Sequence, residues 1–159
     1  MRPLGIDLGT RRIGVAVADS AGRVATAYDT VERSGDRARD HRRIAELAAE
    51  VEADQLVVGL PLSMDGSVGK AAKAALREAD QLARATGLPV DTWDERLTTV
   101  TAHRDLMVLD LDAKQRRKIV DKVAAAVMLQ AWLDHRAGTG QHAAPPDLPP
   151  TPTEDPASP

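Results

Sequence analysis

PLGIDLGTRRIGVAVA, residues 3–18, decides the reading of this chain. Residues 3–8 and 13–19 are short strand-like runs separated by Gly9-Thr10-Arg11-Arg12, and a third run, around Val24–Val31, follows the Ala21-Gly22 turn. Successive strands with such short connections predict an antiparallel meander. Within the first run the alternation puts Leu4, Ile6 and Leu8 on one face and Gly5, Asp7 and Gly9 on the other. Asp7 therefore stands on a face stripped of neighbouring side chains, where a cation and a phosphate have room to approach the backbone. The plainer alternative is a turn Asp that satisfies nearby amides. Its place inside the strand favours the functional reading.

Working outward, a helical pattern covers Arg37 to Ala53, with Ile44, Leu47, Ala48 and Val51 on one face. Gln55–Leu60 is apolar without alternation, as in a strand buried on both sides. After a loop from Pro61 to Gly69, a second helix spans Lys70–Thr86 with Ala72, Ala75, Leu76, Ala79 and Leu82 as its apolar positions, and Gly87-Leu88-Pro89 stops it. Val90–Trp93 is a last short strand running into Asp94-Glu95-Arg96. Helices are expected near Thr98–Leu109 and over Ala113–Arg136, the latter opened by Asp112 with Gln115 three residues on. The order βββαβαβα predicts an α/β fold: a mixed five-stranded sheet, three antiparallel strands followed by parallel crossovers, with helices on its faces. This is the strand order of ribonuclease-H-like proteins.

A chain of 159 residues fits one domain. That domain is expected to occupy residues 1–136, because residues 137–159 change composition and hold seven of the ten prolines, a segment with little to bury and expected to be disordered. The net charge of −3 includes the tail's Asp147, Glu154 and Asp155; without them 21 acidic residues face 21 basic ones. The basic residues are bunched: Arg11 and Arg12; Arg37, Arg39, Arg42 and Arg43; and Lys114, Arg116, Arg117, Lys118 and Lys122. Patches of this kind suit a polyanion, although ion-paired, solvated helix faces explain most charge runs. With no cysteine, disulfides and zinc–thiolate sites are excluded. His41, His103, His135 and His142 lack ligand spacing. No stretch is apolar enough to span a bilayer and no signal peptide is evident, so no membrane partner and a cytoplasmic location are expected.

Two further acids matter. Glu95 stands where a strand leaves its sheet, the rim at which α/β folds bind ligands, although Asp-Glu-Arg alone is more often simply exposed. Asp121 lies inside its helix on a stripe with Ala124, Ala125, Met128 and Trp132, and an acid there needs a partner. Arg117 or Lys118 is one candidate; a metal shared with Asp7 and Glu95 is the other. Tyr28, Trp93 and Trp132 are the only aromatics. Base stacking needs exposed rings, so shape and backbone recognition is expected.

Taken together, GIDLGTRRIGVAV at Gly5–Val17, VGLPLSMDGS at Val58–Ser67, DERLTT at Asp94–Thr99 and KIVDKVAAAVMLQ at Lys118–Gln130 resemble the YqgF family of RuvX-like pre-16S rRNA nucleases and Holliday junction resolvases. The resemblance runs from Leu4 to about Leu133. It implies a ribonuclease-H-like hydrolase of phosphodiester bonds whose catalytic and metal-holding acids are Asp7, Glu95 and Asp121. Mg²⁺ or Mn²⁺, as a pair of ions with Asp7 shared between them, is the implied cofactor. The implied role is trimming the 5′ end of pre-16S rRNA in ribosome biogenesis, with structured pre-rRNA, and through it the small-subunit precursor, as partner.

A four-way DNA junction is the alternative substrate, and it favours a dimer over a monomer. Arg11, Arg12, Arg96, Lys114, Arg117 and Lys118 are candidate backbone contacts. Ser63 joins them if the Pro61–Gly69 loop faces substrate rather than serving as a structural turn. A non-catalytic nucleic-acid-binding protein of the same fold is a further alternative. GIDLGT also opens actin-like ATPases and sugar kinases, but those need two related domains, and this length provides one.

Overall fold

The computed structural model describes residues 1–97 and 113–143. Its elements are β1 (Pro3–Leu8), β2 (Arg12–Ala18), β3 (Ala25–Glu32), α1 (Arg37–Glu50), β4 (Gln55–Leu60), α2 (Lys70–Thr86), β5 (Val90–Asp94), a 3₁₀ turn (Glu95–Leu97) and α3 (Ala113–Ala143). The five strands form one sheet in the order β3-β2-β1-β4-β5. β1 pairs antiparallel with β2 and parallel with β4, and β5 extends the parallel side. This is the expected mixed sheet. Because β1, β4 and β5 run the same way, their C-terminal ends share one rim, and Asp7 and Glu95 are delivered to that rim by strand direction alone.

Strand alternation divides the core in two. Leu4, Ile6, Ile13, Val15, Leu56 and Val58 point to one face, where Ile44 and Leu47 of α1 and Ala79 and Leu82 of α2 cover them. Ala16, Ala18, Val57 and Trp93 point to the other, under Ala125, Met128, Leu129, Trp132 and Leu133 of α3. β1 and β4 are central and covered on both sides, which accounts for the unbroken apolar run of β4. The Leu4, Ile6, Leu8 face of β1 is the one packed against α1 and α2, as the alternation requires.

Several expectations shift. Leu76 is exposed rather than part of the α2 core face. On α3, Leu129 and Leu133 join the buried stripe, and Ala124 is only half-buried. α1 ends at Glu50, with Glu52 in the left-handed region at φ 55°. α3 continues to Ala143, past the expected end at Arg136: Gly138 and Gly140 cost about 1 kcal/mol each but do not forbid a helix, and the first proline comes only at Pro145. The expected Thr98–Leu109 helix, the Asp112 cap and the tail from 144 onward lie outside the described residues. Of the basic patch on α1, Arg43 is spent on Asp29, Glu46 and Glu50, the solvated ion-pair outcome.

A polar cluster is built into the α1–α2 layer. Buried Glu78 accepts two 2.9 Å hydrogen bonds from Arg33 and lies 2.7 Å from Nε2 of buried His41. The Nε of Arg33 also donates to the Gly9 carbonyl at 2.7 Å, so the cluster anchors the turn that follows Asp7. Burial alone would raise the Glu78 pKa, but the hydrogen bonds from Arg33 and His41 prevail and hold it below the usual range. Its stabilising contribution is therefore present above the ordinary carboxylate pKa and fades as pH falls through the lowered one. Glu78→Gln is predicted to cost about 3 kcal/mol at pH 7, since it leaves Arg33 uncompensated. Urea denaturation at pH 7 and again in acid should show the deficit shrinking in acid.

Candidate active site

The site is made possible by missing side chains. Asp7 pairs across the sheet with Gly14 of β2, and Gly59 follows Val58, the β4 partner of Ile6, so glycines flank Asp7 on both sides. A Cβ on Gly14 would stand 2.0 Å from the backbone oxygen of Asp121, and one on Gly5 would stand 2.9 Å from the Leu129 Cβ. The backbone of α3 thus rests directly on β1 and β2, which carries Asp121 toward Asp7. On the other flank, a Cβ on Gly59 would stand 2.8 Å from Oε2 of Glu95, so the Glu95 side chain occupies the space that Gly59 leaves.

Asp7, Glu95 and Asp121 are all partly buried, and Asp7 senses the charges of the other two. Burial pushes the Asp7 pKa up to about 7, with the charges of Glu95 and Asp121 adding to the effect. Glu95 is raised by burial and then by the charge of Asp94. Asp94 is held low by its hydrogen bonds with Arg96, whose guanidinium grips both carboxylate oxygens at 2.6–3.1 Å. Among the described residues no three His, Asp or Glu side chains stand close enough to form a ready-made metal cage. The donor set nonetheless fits a hard divalent cation: the ligands are all carboxylates, and Asp7 is in an environment that disfavours its own negative charge and would be relieved by a positive one.

The other sequence candidates divide. Arg12 is nearly buried, 3.3 Å from Glu32 and 3.8 Å from Asp121, so among the described residues a cation from β2 approaches Asp121; the Arg117 and Lys118 side chains proposed as its partners lie outside the described residues, as does that of Lys114. Arg11 is exposed on the turn after Asp7. Arg96 is committed to Asp94 and also donates to the Met64 carbonyl at 3.1 Å, which ties the Pro61–Gly69 loop to the Glu95 segment. Ser63 is exposed, and its amide donates to the Ser67 carbonyl within that loop. Sequence reasoning missed Gly14 and Gly59 as the residues that admit the two flanking acids, and it missed Arg33 as the anchor of the Gly9 turn. Gly14 and Gly59 lie inside recognised motifs and were findable there; Arg33 has no local signal.

Fold and acids together define a ribonuclease-H-like protein with a carboxylate site at the rim of its parallel strands. The chain belongs to the RuvX family, whose model, described as "Holliday junction resolvase", matches residues 1–135. Curated relatives carry the name "Putative pre-16S rRNA nuclease". One from Myxococcus xanthus is 48% identical over 137 residues, covering 86% of this chain and 90% of that protein. Another, from Anaeromyxobacter dehalogenans, is 49% identical over 86% of this chain and 99% of its own length. In fold, the chain is similar to the RuvC of T. thermophilus in complex with a Holliday junction substrate, with a TM-score of 0.55 at 22% identity over 87% of this chain and 97% of that one.

Two outcomes follow from the geometry. Without metal, the raised Asp7 pKa makes the folded state lose stability as pH rises from about 4 to about 7. Asp7→Asn is therefore expected to raise the Tm of the metal-free protein at pH 8 and to change it little at pH 4, read by thermal denaturation in a chelator. Gly14→Ala should destabilise the protein by several kcal/mol, because the atom it meets is α3 backbone rather than a movable side-chain tip. Chemical denaturation of that variant tests the contact.

Proposed function

We propose that this chain is a metal-dependent nuclease that processes the 5′ end of pre-16S rRNA in the cytoplasm. The observation that carries the reading is the placement of Asp7 at the rim of the parallel strands, with its pKa pushed up to about 7 by burial and by the charges of Glu95 and Asp121. Relatives at 43–49% identity bearing the pre-16S rRNA nuclease name support the substrate. Among the described residues no helix is long and apolar enough to cross a membrane, which accords with a soluble substrate.

In this reading Asp7, Glu95 and Asp121 hold Mg²⁺ or Mn²⁺. Such a cation supplies Lewis acidity and charge neutralisation for phosphodiester hydrolysis. The chain's own contribution is positional. Asp7 must give up a proton before it can ligate, so cation binding competes with protons near neutrality. Arg12 holds Asp121 from the β2 side, and Arg96 keeps Asp94 turned away as an ion pair, leaving Glu95 as the acid aimed at Asp7. The glycine-lined face gives the scissile phosphate access to the acids without a side chain in its path.

The family description and the fold shared with RuvC favour a second reading, resolution of a four-way DNA junction by a dimer. One assay separates the two. Precursor 16S rRNA with a 5′ extension and a synthetic four-way junction are offered to the wild type and to Asp7→Asn with Mg²⁺ or Mn²⁺. Cleavage of the RNA alone, lost in Asp7→Asn, is expected. Symmetric cutting of the junction alone would replace the rRNA reading with the resolvase, and retained turnover in Asp7→Asn would remove the site assignment. Mn²⁺ should also raise the Tm of the wild type more at pH 8 than at pH 6, and raise that of Asp7→Asn less at either pH.

A further inference from the structure

A cavity of about 520 Å³ opens beside the carboxylate site, and its wall carries Arg11, Arg12, Arg33 and Arg37 against Glu32 and Asp40. Most of these charges are already engaged. Arg33 is bound to Glu78 and Gly9. Arg12 is shared between Glu32 and Asp121. Asp40 accepts from the amide and hydroxyl of Ser34. Arg11 and Arg37 differ: both are exposed, and Arg11 makes no ion pair among the described residues. Among the described residues Arg37 comes no closer to an acid than 3.8 Å from Glu78, whose oxygens Arg33 and His41 already use.

Arg12 connects this cavity to the acids, since it both lines the wall and approaches Asp121. Thr10, also in the wall, is three residues beyond Asp7, a reach of at most about 11 Å along the chain. One strand of nucleic acid advances about 3.4 Å per nucleotide, so that reach corresponds to about three nucleotides. A second cavity of about 340 Å³ shares Thr10, Arg33 and Arg37 and continues to Pro61 and Ala71, which extends the opening into a groove along the rim toward α2. Among the described residues no aromatic ring lines either cavity, which favours backbone contacts over base stacking.

The geometry points to a second, non-catalytic phosphate site: Arg11 and Arg37 hold a backbone phosphate of the substrate strand within about three nucleotides of the bond that is cut. The inference rests on the nuclease reading above and adds the path of the strand. Guanidinium forks match phosphate oxygens, and the Thr10 hydroxyl adds a neutral donor. Such contacts set the register of the substrate and carry no sequence preference.

The test measures equilibrium binding of 5′-extended precursor 16S rRNA across a salt series, in chelator, by the wild type, Arg37→Ala, Arg37→Lys and Arg11→Ala. Steady-state cleavage by the same proteins accompanies it. Arg37 is exposed at the start of α1, so these variants should keep the wild-type Tm. Arg37→Ala and Arg11→Ala are expected to weaken binding several-fold, to lower the salt slope by about one each and to raise KM at unchanged kcat, while Arg37→Lys recovers most of the slope. Unchanged affinity and slope in both alanine variants would overturn the site, as would a loss of kcat at constant KM or a wild type that binds no RNA. A mononucleotide bound as tightly as the RNA, through Arg37, would make this a nucleotide pocket and overturn the backbone assignment. If the wild type binds the RNA but cuts nothing, the nuclease reading fails and the salt series alone decides the groove.

Discussion

The rest of the molecule depends on one close approach, that of the α3 backbone to the sheet at Gly14 and Gly5. At Gly14 even a methyl group would overlap the Asp121 carbonyl. This contact sets how deeply α3 sits, and with it the position of every residue on the buried stripe from Ala125 to Leu133. It is held from both sides of the sheet. Gln130 accepts from the Ala25 amide and donates to the Arg23 carbonyl, clipping α3 to the start of β3, while the Trp132 indole donates to Asp91 on β5 at the opposite edge. Helix depth and the position of Asp121 are consequently one variable, because Asp121 is the residue whose backbone makes the contact.

Electrostatics then works against the fold at the same place. Burial raises the proton affinity of Asp7, and the charges of Glu95 and Asp121 add to it. Arg12 offsets part of this beside Asp121, and Arg96 removes Asp94 from the cluster by pairing with it. No protein cation among the described residues stands against Asp7 itself. A partly buried carboxylate left unneutralised is costly to the fold, and a cation beside it would relieve that cost.

The sequence pattern carried most of the architecture because its signals are local. Gln55–Leu60 and Lys70–Thr86 have the bounds that apolar runs, the Gly87 cap and Pro89 dictate, and the face assignment of β1 follows from alternation alone. Ends without a proline or a cap residue were less legible, as the overrun of α3 to Ala143 shows. The buried Glu78 was invisible for a different reason: a Glu at that helical position reads as solvent-facing unless one knows that Arg33 and His41, 45 and 37 residues away, converge on it.

The sequence by itself determined the fold class and the family and singled out Asp7, Glu95 and Asp121 as candidate acids, since strand periodicity and motif order are properties of neighbouring residues and survive without coordinates. What only the tertiary structure decided is how those acids meet. Asp121 is carried toward Asp7 across β2, which neither belongs to, through a glycine that lets a helix backbone touch a strand; the Glu95 side chain lies in the space over Gly59. Which arginines are drawn into close hydrogen-bonded pairs was decided there as well, because Arg12 and Arg33 look no different from Arg11 and Arg37 along the chain. Long-range packing makes that distinction: Arg33 is folded against buried Glu78 at 2.9 Å, while Arg37 reaches the same carboxylate only at 3.8 Å from an exposed position.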